Sequence, residues 1–443
     1  MHIRDYKKYI LDLIHLSLPI LAGNLGQMLI NVGDVYVAGH YSTNVLAAIS
    51  VASAIFMTFI VAGSGLCAGI TPVLSNYRGE RKPVKKLFGI TVVYSLCLSV
   101  IFFILLWAAI PLVYKIGLSD KIINDTVEYL KISTYSIFGI FLFASLKEFL
   151  QAHEIVILPN VLISIGVVLN VVLNFALVWG FWIIPELGVK GLAIASLSVR
   201  MLLAGILFLY CMKLLKGSIY KNTKKYIKDL MITGAPIAGA MFIEFLGFNI
   251  VAILVGKFEP VYAACHNIII SVTSGVYMVP FSISNALSVK VGYANGARHS
   301  MDIKRYTLSA LWFVIIYTLC AVIMYLLFKE AIMKLFTGDS AVIELGASIM
   351  IIVACFTVFD GIQSVCMGAL KGMKQTLQIL MVMFMSYALV SIPTGLILAY
   401  KYNKILNGFW FGLALGITLA SFTSGIILIK KYFKIKKEYS TPL

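Results

Sequence analysis

The chain is poor in charged residues. Of its 443 residues only 12% are charged, whereas 60% are hydrophobic, and the mean hydropathy is +0.96. Soluble proteins are about a quarter charged, so this composition excludes a soluble enzyme. A membrane-spanning helix takes about 20 apolar residues, which leaves room for about a dozen such helices. The sequence therefore predicts an all-α polytopic membrane protein.

Catalytic and metal-binding signatures are also lacking. The sequence has no G-x-x-x-x-G-K-[ST] loop for ATP, no H-E-x-x-H motif and no G-x-S-x-G motif. Its seven cysteines form no C-x-x-C pair, so they are expected to be small core residues. These absences predict no enzymatic activity and no cofactor. An ion gradient is then the expected source of energy.

Long apolar runs separated by charged or Gly/Pro-rich breaks predict twelve membrane spans. Their expected ranges are 13–37, 45–70, 88–113, 126–150, 157–183, 190–214, 229–255, 262–288, 306–328, 345–369, 376–400 and 405–430.

The formal net charge of +17 would suggest nucleic acid in a soluble chain, but here it reflects membrane topology. The basic residues concentrate in alternate loops and in the C-terminal tail, led by 78–86, 213–228 and 430–437. Basic loops stay on the cytoplasmic side of a membrane. We expect a multi-pass protein of the plasma (inner) membrane with both termini in the cytoplasm and no nucleic-acid partner.

The chain divides into two similar halves. Leu18-Pro19-Ile20 is echoed by Ala235-Pro236-Ile237, and Leu150-Gln151-Ala152 by Leu370-Lys371-Gly372, at nearly the same offset along the chain. Six spans per half make the repeat parallel, and a substrate cavity is expected where repeats meet. The predicted domains are an N-terminal lobe at 1–215, a cytoplasmic loop at 216–228 and a C-terminal lobe at 229–443.

Three of the nineteen acidic residues lie deep within predicted spans: Asp34, Glu244 and Asp360. An ionised group at the centre of a bilayer costs at least about 2.5 to 3.5 kcal/mol. Each acid is therefore expected to face a cavity, a partner or an ion. The alternative is a protonated or paired acid with a structural role.

In the first half, polar residues on three helices can converge. Four share one face of the first span at helical spacing, namely Asn24, Gln27, Asn31 and Asp34. Asn170 and Asn174 are one turn apart on the fifth span, and Ser196 lies on the sixth. Carboxylate, amide and hydroxyl oxygens suit a hard cation such as Na+ at Asp34, and equally a proton site. Hydrogen bonding between helices remains an alternative for the two asparagines and the serine.

The second half has different chemistry. Asp360 has Gln363 one turn later and Phe356 one turn earlier, while Glu244 is the repeat counterpart of Gln27. Two acids beside an aromatic ring can attract an organic cation or bind a coupling ion. Further candidates to line a cavity are Gln27, Asn31, His266 and Asn267.

Several segments together resemble the multidrug and toxic compound extrusion (MATE) family, from the first span to the last. The similar segments are Asn31–His40 with Leu46-Ala47-Ala48, Gly69–Pro72 with Gly79-Glu80-Arg81, Leu169–Asn174, Pro185–Ser196, and Phe359–Gln363 with Gly368–Gly372.

The resemblance implies two six-helix lobes in a V shape that export organic cations by alternating access, in exchange for Na+ or H+. It matches Asp34, Asn170 and Asn174 to the first-lobe cation site, with Ser196 where the family often has Thr. It matches Glu244 and Asp360 to the second-lobe acids of the NorM-like branch. Phe356 stands where a Tyr is often found. We expect a monomer whose substrates are small organic cations.

Two other functions compete with this hypothesis. A flippase for lipid-linked oligosaccharide or peptidoglycan precursors would favour a cationic cavity, yet Arg200 alone is basic near the middle of a predicted span. An integral-membrane enzyme would need a catalytic cluster, and the three acids lie on separate helices.

Overall fold

The computed structural model describes residues 3–115, 117, 119–181, 185–214, 223–402 and 404–440. Within these residues, twelve helices are long and apolar enough to cross a membrane, which confirms the number of predicted spans. The helices are α1 Ile3–Tyr41, α2 Thr43–Cys67, α3 Ile70–Gly79, α4 Phe88–Ala109, α5 Asp120–Ala152, α6 Ile157–Val178, α7 Val189–Leu214, α8 Thr223–Val255, α9 Pro260–Gly296, α10 Ser300–Lys334, α11 Ser340–Gly372, α12 Thr376–Met383, α13 Ile392–Leu396 and α14 Ile405–Ser440.

Two spans combine more than one helical element. The second span, Thr43–Gly79, contains α2 and α3. The eleventh, Thr376–Lys401, contains α12 and α13 together with π-helical turns at Phe384–Ser391 and Ile397–Lys401. Such π turns widen a helix locally and often occur at functional sites.

Large apolar side chains cover the outside of these helices. Ile104 is 59% exposed and Leu327 is 71% exposed, as expected where lipid replaces water as the solvent. In lipid the backbone has no water to bind, so its N–H and C=O groups must pair within the helix. This constraint explains why long apolar runs become continuous helices here.

Helix ends follow local chemistry. The Asp339 side chain accepts a hydrogen bond of 2.9 Å from the Ala341 N–H and caps the start of α11.

The predicted span 157–183 is too long, because α6 ends at Val178 and Gly180 adopts φ +77°. Residues 182 and 183 of that span, and 216–222 of the predicted inter-lobe loop, lie outside the described residues. The rest of that loop, from Thr223, already belongs to α8.

The repeat predicted from the sequence is visible in the backbone. Within the described residues, four residues other than glycine have a positive φ: Arg81, Glu154, Arg298 and Lys374. They form two pairs, because Arg298 follows Arg81 at the same offset by which α9 starts after α2. Lys374 likewise follows Glu154 at the offset that separates α11 from α5 at both ends. The same unusual turns therefore recur in both halves.

The contacts divide the chain into two compact units. Unit 1 comprises Met1–Leu18, Ser75–Arg81 and Gly239–Leu443, and its central helix α11 packs against α9, α10 and α14. Unit 2 comprises Pro19–Leu74 and Lys82–Ala238, and its central helix α5 packs against α2, α4 and α7. Each unit thus has its core around the equivalent helix of the repeat.

These units differ from the predicted domains at their edges. The first turns of α1 belong to unit 1, and α8 up to Ala238 belongs to unit 2. The changes of unit fall beside Pro19 and Pro236, where a proline inside a helix removes one backbone hydrogen bond. The division into lobes at 1–215 and 229–443 stays a prediction.

Arg81 offers a test of the turns. Its φ of +57° is unfavourable for any residue with a Cβ atom by about 1 to 2 kcal/mol. We expect Arg81→Gly to be more stable than Arg81→Ala by about 1 kcal/mol, since both lose the side chain and only glycine relieves the strain. Thermal unfolding in detergent measures the difference, and equal melting temperatures would contradict the assignment.

Candidate cation and substrate sites

The buried carboxylate of Asp34 is the first candidate site, and it lies in unit 2. Its side chain on α1 is 5% exposed. Of the other residues on the predicted polar stripe, Asn24 is half-buried and Gln27 is exposed. The side chain of Asn31 lies outside the described part of the chain. The assignment of Gln27 and Asn31 to a cavity therefore stays a prediction.

Asn174 and Ser196 hold the two oxygens of this carboxylate. The Asn174 amide donates to Oδ1 of Asp34 at 2.7 Å, and the Ser196 hydroxyl donates to Oδ2 at 2.9 Å. The helices α1, α6 and α7 thus meet at one acid. The structure brings together the residues that the sequence placed in this site.

Asn170 completes the cluster as its fourth member. Its amide donates to the Ser196 hydroxyl at 3.0 Å, and its Oδ1 accepts from the Asn174 amide at 3.1 Å. Asn170 and Asn174 are fully buried, and Ser196 is 1% exposed. Asn170 thus orients both groups that bind the carboxylate.

The cluster presents oxygen atoms to a cation. Within the described residues, the buried Oδ1 of Asn174 has no hydrogen-bond donor, and Asp34 forms no ion pair. Buried polar atoms are nearly always satisfied, so an unsatisfied one needs an explanation. A carboxylate beside amide and hydroxyl oxygens is a suitable ligand set for a hard cation. The same carboxylate can instead accept a proton.

Arg200, also in unit 2, contacts Ser136 and Phe56. Its Nη1 donates to the Ser136 hydroxyl at 3.0 Å, and its guanidinium lies 5.3 Å from the centre of the Phe56 ring. Its positive charge attracts Asp34 electrostatically. The sequence left Arg200 without a role, although a single basic residue within a span was the signal for one. The structure places it as a charge held near the acid.

The second candidate site is a cavity of about 370 Å³ in unit 1. Glu244 from α8 and Asp360 and Phe356 from α11 all line it, as the sequence predicted that they would come together. Its other walls are Phe245, Phe248, Asn249, Ile270, Thr273, Ser274, Tyr277, Trp410 and Ile417. The cavity thus combines two acids with several aromatic rings.

Aromatic residues that the sequence did not single out shape this cavity. Trp410 from α14 stacks with Phe356 at 6.3 Å between ring centres. Tyr387 is 1% exposed, lies on a π-helical turn, and donates to Oε1 of Glu244 at 3.5 Å. No sequence pattern marks a π turn, so the position of Tyr387 could not be inferred.

Three further residues that the sequence suggested for binding are not among the walls of this cavity. Gln363 is 1% exposed, and its amide donates to the sulfur of Met383 at 3.8 Å. His266 is 1% exposed with its ring 5.6 Å from that of Trp410. Asn267 is exposed. Their roles in binding stay predictions.

Comparison with known proteins decides the family. The MatE family model matches the chain twice, at residues 19–176 and 236–397, so the matches cover one repeat each. The chain belongs to the MatE family. The resemblance inferred from the sequence is confirmed.

Curated relatives cover nearly the whole length of the chain. The multidrug resistance protein NorM of Aliivibrio fischeri is 30% identical, over 96% of this chain and 94% of that protein. The probable multidrug resistance protein NorM of Bacillus subtilis is 26% identical, over 99% and 98% respectively.

Solved structures share the fold. A eukaryotic MATE transporter matches with a TM-score of 0.86 at 18% identity, covering 98% of this chain and 99% of that one. A MATE protein in a bent conformation matches with a TM-score of 0.87 at 19% identity, covering 99% and 98%.

Ser196→Ala tests whether the Asp34 cluster is held as described. The variant removes a hydrogen bond to a buried carboxylate, and such bonds contribute about 1.5 to 3 kcal/mol. We expect a lower melting temperature, which Ser196→Thr restores because it keeps the hydroxyl. The control is Ser164→Ala, whose hydroxyl bonds only the Asn160 carbonyl of its own helix at 3.2 Å. Equal melting temperatures for the two alanine variants would contradict the cluster.

Proposed function

We propose that the protein is a secondary active multidrug antiporter, which exports organic cations by alternating access in exchange for Na+ or H+. The observation that carries the proposal is the buried carboxylate of Asp34, whose hydrogen-bond partners among the described residues are neutral. A neutral shell leaves the acid's charge available to an entering cation. The names of the curated relatives and the membership in the MatE family support multidrug export.

The coupling ion acts at Asp34. When Na+ or H+ binds, the negative charge is neutralised, and the hydrogen bonds from Asn174 and Ser196 to the carboxylate weaken. These bonds join three helices, so their loss changes the packing of unit 2 and favours release of the drug. Coupling of this kind requires the cation and the drug to oppose each other's binding, in equal measure.

The cavity of unit 1 is the proposed drug site. Its volume lies in the range of ordinary ligand pockets, about 300 to 1,000 Å³. Glu244 and Asp360 supply negative charge, while Phe356, Tyr277 and Trp410 supply ring faces that attract cations. This pairing suits a flat lipophilic cation better than a pyrophosphate, so it favours drug export over a lipid-precursor flippase.

The cellular setting completes the proposal. We place the protein in the plasma (inner) membrane as a monomer with cytoplasmic termini, on the basis of its basic loops. Its substrates are small organic cations, and transport needs no cofactor.

Ethidium transport in proteoliposomes tests the function, with an imposed Na+ gradient and an imposed pH gradient applied one at a time. We expect one gradient to drive efflux and Asp34→Asn to abolish it, because the amide can neither bind Na+ as an anion nor take up a proton. Asp120→Asn, at an exposed acid at the start of α5, is the control that should keep full activity. Undiminished gradient-driven efflux in Asp34→Asn would refute the mechanism, and no efflux under either gradient would favour a flippase.

Glu244→Gln and Asp360→Asn test the drug site separately. Each variant removes one ionisable carboxyl group from the cavity, at an expected cost of about 1 to 2 kcal/mol, or about 5- to 30-fold in the Kd for ethidium. Fluorescence titration of the purified protein measures this Kd. An unchanged Kd in both variants would make unit 1 structural rather than drug-binding.

A further inference from the structure

A second group of polar atoms lies behind the wall of the unit 1 cavity. His266 is 1% exposed and Trp410 is fully buried. Both ring nitrogens of His266 and the indole nitrogen of Trp410 have no hydrogen-bond partner within the described residues. The two rings are 5.6 Å apart between centres and inclined by 57°. Three buried nitrogen atoms without partners thus occur on two neighbouring side chains.

Another unsatisfied atom lies close by in sequence. Asn407 precedes Trp410 by three residues on α14, which places both on one face of the helix. Its buried Oδ1 also has no donor in the described part of the chain. The indole N–H and the imidazole can together donate and accept, and the Asn407 amide lies on the same helix face as the indole.

Such a group is unfavourable unless something binds it. Burying a polar group without a hydrogen bond costs free energy, and in folded proteins the exceptions usually contact an internal water molecule. The two rings are in contact at this separation, so water would bind at their nitrogen-bearing edges and not between their faces. It can accept from the indole N–H and donate to the unprotonated nitrogen of the imidazole.

The position of the group links it to the acids. Trp410 itself lines the cavity with Glu244 and Asp360, and its ring also contacts that of His266. Ile270, one turn after His266 on α9, also lines the cavity. His266 lies six residues after the start of α9, and Trp410 lies five residues after the start of α14. The group thus lies within the first two turns of both helices and beside the cavity.

We propose that His266 and Trp410 form an internal water-binding site, and that this water connects the carboxylate cavity of unit 1 with the aqueous phase beyond the starts of α9 and α14. The water site rests on the geometry alone. Its use by the coupling ion, as a hydrated route to the acids, rests on the proposed function. His266 is then a positioning residue that holds water and does not touch the drug.

Melting temperatures of two variants test the water site. His266→Phe keeps a ring of similar size but removes both nitrogens, whereas His266→Gln keeps a donor and an acceptor. If water is bound, the phenylalanine variant leaves the water and the Trp410 N–H without a hydrogen-bond partner. We therefore expect its melting temperature to fall by about 2 °C or more. The glutamine variant should recover the wild-type melting temperature. If the space is dry, removing two unsatisfied nitrogens raises the melting temperature. A rise or no change in His266→Phe would overturn the proposal.

Radiolytic hydroxyl labelling of the wild-type protein provides a second test that needs no variant. Radicals formed from a bound water modify the side chain beside it. We therefore expect labelling of His266, which is 1% exposed and does not line the cavity, while the fully buried Phe141 remains unlabelled. His266 labelled no faster than Phe141 would overturn the water site.

Transport measurements test the connection to the cavity. We expect His266→Phe to slow gradient-driven ethidium efflux at least about threefold, equivalent to a barrier change of RT ln 3, and to leave the ethidium Kd unchanged. An unchanged rate would overturn the role of the water in coupling. A failure of the proposed function is distinguishable, because the wild-type protein would then show no gradient-driven efflux while melting and labelling still report on the water.

Discussion

A carboxylate in the middle of an apolar helix bundle is the constraint on which unit 2 depends. Burying the Asp34 carboxylate away from water costs free energy. Hydrogen bonds from Asn174 and Ser196 offset this cost, and no positive charge contacts the carboxylate among the described residues. Arg200 attracts the acid but donates to Ser136. A contacting arginine would neutralise the site permanently. Neutral partners stabilise the acid, and in the proposed mechanism they leave it able to exchange one cation for another.

The repeat supplies two similar scaffolds that carry different chemistry. The turns at Arg81 and Glu154 recur at Arg298 and Lys374, yet the acids do not recur. At the repeat offsets, Asp34 corresponds to Val251 and Asp360 to Ile140. Unit 2 therefore has one acid in a tight hydrogen-bonded cluster, whereas unit 1 has two acids in an open aromatic cavity. This asymmetry fits the proposed antiport mechanism, in which the ion site and the drug site are separate.

The number of membrane spans and the three buried acids could be predicted from the sequence. The thickness of the bilayer requires each span to be a long apolar run, and an acidic residue is conspicuous within such a run. The Asp34 cluster was accessible for the same reason, since Asn170 and Asn174 are spaced by one helical turn. What could not be predicted depends on contacts distant in sequence or on irregular backbone. Tyr387 reaches Glu244 from a π turn, and Trp410 meets His266 only through the packing of α14 on its neighbours. Gln27 kept the helical spacing of the stripe but is exposed, because spacing fixes a common face and not what that face contacts.

In the proposed mechanism, the coupling cation binds at Asp34. Charge displacement on a solid-supported membrane tests this step directly, after a rapid change of Na+ concentration or of pH without drug. We expect a transient charge movement in the wild-type protein for one of the two cations, and none for that cation in Asp34→Asn. A transient of equal size in both proteins would contradict binding at Asp34.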